Sequence, residues 1–156
     1  FYGAFERRTA IAETYEVSSE DKVATVGTFE VTRDLKLVDF SKLPNPKGFF
    51  SGVERNYRHK LEFIYEFLED FTAPVSKDGL EHIEYVPTQI VSEHFRFIHS
   101  TLDSRKVDGI IYPSSKKNGK KAIVLFCDNN ECIEQHESKG LLKLIKTNRV
   151  NPKAYI

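Results

Sequence analysis

The stretch from Val107 to Phe126, VDGIIYPSSKKNGKKAIVLF, constrains the fold of this chain more than any other. It reads as two apolar strands joined by a polar turn. Val107, Ile110, Ile111 and Tyr112 bring the β-branched and aromatic content of the first strand. Ala122 to Phe126 form a continuous apolar run, the pattern of a strand buried on both faces. Asn118-Gly119 between them is a hairpin signal, because both residues tolerate positive φ. Asp108-Gly109 stands at the strand entrance and Tyr112-Pro113-Ser114-Ser115 at its exit. Pro113 ends ladder pairing on its own side, which predicts that Ser114 and Ser115 leave the sheet with free hydroxyls. Such a position suits a ligand-binding group.

The other segments fall into order around this hairpin. Phe1-Tyr2-Gly3-Ala4 reads as the end of an apolar strand entering a glycine turn. Thr9 is placed to cap a short helix through Ala10, Ile11, Ala12, Glu13 and Tyr15. On pattern alone, Glu13 is first of all a solvated helix carboxylate. Lys22 to Thr32 is β-rich, Arg33-Asp34 reads as a turn, and Leu35 to Phe40 as a return strand, together a β-hairpin. Ser41 to Gly52 is a loop punctuated by Pro44, Pro46, Gly48 and Gly52, with Phe49-Phe50 expected in the core. Tyr57 to Phe71 predicts an amphipathic helix, since Leu61, Ile64, Leu68 and Phe71 recur at helical spacing. Ala73 to Glu81 is loop, and Tyr85 to Gln89 opens a second helix with Pro87 in its first turn. Cys132 to Glu134 is a short strand, and Leu141 to Val150 leans to strand over helix. Hairpins mixed with helices, rather than alternating βαβ units, predict an α+β fold on mainly antiparallel sheets flanked by helices.

With 156 residues, the chain is read as one domain, 1–156. Lys+Arg and Asp+Glu both number 23, so no global field draws it to nucleic acid or membrane. Two cysteines point to a reducing compartment and against a disulfide framework. There is no methionine and the first residue is Phe1, so residues upstream of it are expected.

Three chemistries have weak local signals. Cys127, Cys132 and His136 supply only three soft ligands where a structural zinc site takes four, so a core Cys127 and a surface Cys132 are expected instead. Lys116, Lys117, Lys120 and Lys121 could meet phosphates, against the plainer reading of a solvated turn. No glycine-rich phosphate loop and no nucleophile elbow occur.

Four motifs in sequence add a resemblance. They are F-Y-G-A at the start, T-A-I-A-E ending at Glu13, Y-V-P-T-Q-I-V-S-E-H from Tyr85, and V-D-G-I-I-Y-P-S-S followed by A-I-V-L-F. In this order, and over nearly the whole chain, they resemble the RES domain family, named for an arginine, a glutamate and a serine. Members resemble ADP-ribosyltransferases in fold and act as toxins that degrade NAD+, many with a neutralising helix-turn-helix antitoxin. The resemblance implies a cytoplasmic toxin that cleaves the nicotinamide–ribose bond of NAD+ without a metal. It implies an antitoxin partner; the zero net charge adds the expectation of no direct contact with nucleic acid or membrane. ADP-ribosyl transfer to a protein or RNA target, or a non-catalytic interaction module, are the alternatives.

Residue by residue, Glu13 matches the family glutamate and Ser114 the family serine, the two expected catalytic groups. Tyr2 matches an aromatic position suited to stacking on nicotinamide, and Tyr112 and Ser115 join it as expected NAD+ contacts. Gln89, Tyr112 and Asp108 match motif positions of supporting character. The family arginine lies upstream of F-Y-G-A, and Arg7 and Arg8, which follow it, do not take its role. The expectation is that residues 1–156 alone lack the pyrophosphate anchor and leave a sheet edge open beside Phe1 to Ala4, filled by another segment or by self-association.

Overall fold

The computed structural model describes residues 1–15, 22–44, 55–72, 93–95, 106–134, 136–137 and 139–155. The hairpin forms as its sequence predicts: β4 (Gly109–Pro113) pairs antiparallel with β5 (Lys121–Leu125), Ile110 opposite Val124 and Tyr112 opposite Ala122. Gly119 closes the turn at φ 72°, the left-handed region open to glycine. β1 (Tyr2–Ala4) adds antiparallel to the far side of β5, and β3 (Leu37–Asp39) adds parallel to β4. The order β1-β5-β4-β3 puts the two most apolar strands in the middle; Ile110, Tyr112, Ala122 and Val124 are buried on one face, while Ile111 and Ile123 on the other are half-buried, so the expected burial on both faces is only partial.

One face of this sheet packs on α2 (Arg55–Thr72). Its core is Phe40, Leu68, Ile110, Tyr112, Ala122 and Val124, with Ile64, Phe67 and Phe95 against it. The helical stripe drawn from Leu61, Ile64 and Leu68 therefore points where its spacing implies. Phe40 is the hub, edge-on to Phe67 at 6.2 Å and to Phe95 at 5.8 Å. Each such side chain contributes about 1.5–3 kcal/mol on burial.

A second sheet is made of β2 (Ala24–Val31), β7 (Leu142–Val150) and β6 (Cys132–Ile133), in the order β2-β7-β6. The segment Leu141 to Val150 is thus a strand, and Ile145 is an extra residue where the register slips between Thr28 and Phe29. The edge-to-face pair of Phe1 and Phe29, 4.9 Å between centroids, joins the two sheets. The fold is α+β. β3–β4 and β6–β7 are parallel, so both sheets are mixed, while the other three pairings are antiparallel.

Two expectations are corrected. Leu35 to Phe40 does not return along β2. β2 pairs with β7, and the chain crosses to the other sheet to lay β3 beside β4. Long-range hydrogen bonds decide this crossing. Thr32 N–H donates to the Leu141 carbonyl at 3.1 Å, and Asp108 N–H to that of Lys36 at 2.8 Å. The Asp108 carboxylate accepts the Lys36 N–H at 2.8 Å and two bonds from Arg33, at 2.7 and 3.2 Å. That bidentate bond to Asp108 raises the Arg33 pKa. Thr9 is not a helix cap either. α1 runs Arg7–Thr14 with Glu6 at its N-cap, and Thr9 lies inside it. The expected Phe49-Phe50 packing, the loop Ala73 to Glu81, the opening of the second helix and Gln89 lie outside the described residues.

Gly109 has no room for a side chain, since a Cβ there would stand 2.2 Å from the Val124 carbonyl oxygen and 2.9 Å from Leu125 Cδ2. Gly109→Ala is expected to lower unfolding free energy by about 1–3 kcal/mol, read by denaturant titration. Asp39 ends β3. Burial works against its charge, but the Ser41 hydroxyl and amide, with Lys121 at 3.5 Å, hold its carboxyl below the usual carboxylate value. Its contribution to stability is therefore present above the unfolded-state pKa of about 4 and lost as pH falls through the lower folded-state value. The difference in melting temperature between wild type and Asp39→Asn is expected to be constant near neutral pH and to shrink on acidification below about pH 4.

Candidate functional site

α1 follows β1 after only Phe5 and Glu6, so the helix starts at the end of the sheet's edge strand. Eight residues make a helix too short to hold itself in water. Tertiary contacts fasten it: Thr9, Ile11 and Ala12 are buried, and Glu6 Oε1 accepts from Lys120 Nζ at 2.6 Å. Thr9 and Glu13 are four apart, one turn, and share a face. Thr9 is 1% exposed and its hydroxyl has no hydrogen-bond partner among the described residues.

That face brings Glu13 to Ser114. The Ser114 hydroxyl donates to Glu13 Oε1 at 2.5 Å across 101 residues of sequence. It also accepts the Lys117 N–H at 3.0 Å. With that lone pair engaged, the hydroxyl proton is directed at the carboxylate. The free-hydroxyl expectation for Ser114 is therefore corrected. Ser114 is 8% exposed, and its own N–H donates to the Lys120 carbonyl at 2.9 Å, one rung beyond Pro113–Lys121. Proline blocks donation only from its own nitrogen, so the ladder resumes after it. Glu13 is half-buried, and its second oxygen has no partner among the described residues.

The other candidates distribute around this pair. Tyr2 sits opposite Val124 and Tyr112 opposite Ala122, with Val124 and Ala122 two residues apart on β5. Tyr2, Tyr112 and Ser114 therefore share one face of the sheet. Tyr2, on the edge strand, is 64% exposed, whereas Tyr112 is 8% exposed and packed in the core cluster. Ser115 is exposed in the turn, with no hydrogen bond among the described residues. Asp108 is engaged by Arg33 and Lys36 at the opposite end of β4, a structural position.

A cavity of about 730 Å³ lies between β1, α1 and the second sheet, bordered by Phe1, Tyr2, Ile11, Phe29 and Leu125. Neither Glu13 nor Ser114 lines it. The polar pair, not this largely apolar space, has the chemistry of a site. Cys127 and Cys132 are both half-buried, not core and surface, with sulfurs 4.0 Å apart. Burial pushes the Cys127 thiol up, and the neighbouring Cys132 adds to it. Among the described residues no three His, Cys, Asp or Glu side chains gather as metal ligands, and no helix is long and apolar enough to cross a membrane.

Sequence reading missed the roles of the Lys117 amide and of Lys120. Four lysines at a turn signal charge. They do not signal which backbone N–H reaches which hydroxyl.

A hydrogen-bonded carboxylate and hydroxyl can hold a sugar's hydroxyl groups and stabilise positive charge developing beside them. Comparison with curated proteins and with solved structures gave no match. The family model described as the RES domain matches residues 1–143. Its match spans β1, the α1 helix with Glu13 and the β4–β5 hairpin with Ser114, and the chain belongs to the RES domain family.

Proposed function

We propose that this protein degrades NAD+ by cleaving the bond between nicotinamide and ribose, as the toxin of a toxin–antitoxin pair. The RES domain is linked to NAD-related toxin–antitoxin systems. One observation carries the reading to this chain: the hydrogen bond from Ser114 to Glu13, which joins the family's serine and glutamate positions from opposite ends of the sequence.

The cleavage passes through an oxocarbenium-like state. As the C–N bond breaks, its electrons leave with nicotinamide and positive charge grows on the ribose. Glu13 lies against that charge as an electrostatic stabiliser, its second oxygen left for a ribose hydroxyl. Ser114 orients the carboxylate and lends its hydroxyl to the nicotinamide or ribose. Tyr2, exposed on the same sheet face, stacks on the departing ring. Tyr112 supports that face from the core, and Ser115 stands at the rim. With water as acceptor the products are ADP-ribose, nicotinamide and a proton; phosphate as acceptor would give the corresponding ADP-ribosyl phosphate. In this reading the protein acts in the cytoplasm on a fold of ADP-ribosyltransferase type. A helix-turn-helix antitoxin covers the site and makes the DNA contacts for which a chain of net charge zero is poorly suited.

The test is incubation with NAD+ and mass spectrometry of the products. Wild type is expected to release nicotinamide, with Glu13→Gln slower by roughly 10²–10³-fold. Ser114→Ala is expected to lose kcat while keeping its circular dichroism spectrum. Turnover equal to wild type in folded Glu13→Gln removes Glu13 from the chemistry. Co-expression with the adjacent open reading frame is expected to relieve growth arrest and to yield a stable complex.

A further inference from the structure

The turn between β4 and β5 has more cationic and donor groups than its own fold uses. Four lysines fall within six residues, Lys116 to Lys121, with no acidic residue among them. Two are committed. Lys120 meets Glu6 at 2.6 Å and Lys121 meets Asp39 at 3.5 Å. Lys116 and Lys117 have no carboxylate partner among the described residues. The backbone is similarly divided. The amides of Ser114, Lys117 and Lys120 are used within the turn, whereas those of Ser115 and Lys116 find no acceptor among the described residues. The Ser115 hydroxyl is exposed beside them.

We propose that Ser115, Lys116 and Lys117 form a subsite for a phosphate or diphosphate group, an anchor inside residues 1–156 where the sequence alone leads one to expect none. The proposal rests on the NAD+ reading for its biological ligand, but not for its chemistry. Two ammonium groups, two N–H donors without an acceptor among the described residues and a hydroxyl fall within three consecutive residues of one tight turn, a donor set of the kind that suits phosphoryl oxygens. Its position relative to Ser114 is fixed, because Lys117 N–H is bonded to the Ser114 hydroxyl at 3.0 Å. Glu13 holds the opposite side of that hydroxyl, so an anion is directed to the Ser115–Lys117 side and away from the carboxylate. In NAD+ the diphosphate is separated from the scissile bond by one ribose. With its ribose over Glu13 and Ser114 and its 5′ carbon on the Lys117 side, NAD+ would bring its diphosphate to this turn, and the turn would select a phosphorylated nucleotide over a nucleoside.

Titration of the full chain with inorganic pyrophosphate tests this without relying on turnover. Wild type is expected to bind it, with affinity falling as salt rises. Lys116→Ala/Lys117→Ala is expected to weaken binding roughly 10- to 100-fold. Lys116→Arg/Lys117→Arg is expected to restore it. Lys146→Ala/Lys153→Ala, which removes the same charge at β7 and beyond, is expected to leave it near wild type. KM for NAD+ is expected to rise in the first variant with little change in kcat. No pyrophosphate binding by wild type, or equal weakening in both alanine pairs, overturns the subsite. Selective pyrophosphate binding without any NAD+ consumption leaves the subsite standing and removes the NAD+ reading.

Discussion

The β4–β5 ladder is the constraint on which the rest depends. Among the described residues, β1 joins the sheet through β5 and β3 through β4. The core cluster under α2 is built from Ile110, Tyr112, Ala122 and Val124 of the same two strands. Ile110, 1% exposed, and Ala122, 1% exposed, leave no slack for a shifted register. A slip by one residue would turn these side chains to the opposite face, and Ser114 with them. The closeness of backbone at Gly109, where even a methyl group would strike the Val124 carbonyl, belongs to the same fit. The hairpin is thus both scaffold and carrier of the site.

Two polar clusters tie the more distant parts to it. At one end of β4, Asp108 gathers Arg33 and the Lys36 amide, and so fastens the crossing between the two sheets. At the other end, Ser114 gathers Glu13 and the Lys117 amide, and Lys120 reaches Glu6 at the start of the same helix. The first cluster is structural. The second has the same hydrogen-bonding logic, but one carboxylate oxygen and several turn donors are left over. Donors and acceptors that the fold does not consume separate a binding site from a staple.

Much of this was legible in the chain. The hairpin at Val107–Phe126, the helix stripe of Leu61, Ile64 and Leu68, and the strand at Leu141–Val150 follow from periodicity and turn chemistry. The TAxxE spacing placed Glu13 on a helix, and the order of the four motifs pointed to the family. Misreadings arose where a local cue competed with a remote partner. Arg33-Asp34 is a fair hairpin turn, yet β2 has eight paired positions with β7, and no hairpin partner of three or four residues matches that. Thr9 is a good N-cap by type, but the helix begins three residues earlier, at Arg7 with Glu6 at its N-cap, and Glu6 is tied to the turn by Lys120.

By itself the sequence determined where the apolar runs lie, what period they have and where the chain can turn, since these depend on side chains close together along it. Tertiary structure decided which strand lies beside which: β3 parallel to β4, and β7 between β2 and β6. It alone set Glu13 against Ser114, 101 residues away, and aimed the hydroxyl by borrowing an amide from Lys117. Pairing between distant segments is chosen by total burial and by satisfying every ladder hydrogen bond at once, and no window of sequence contains that sum.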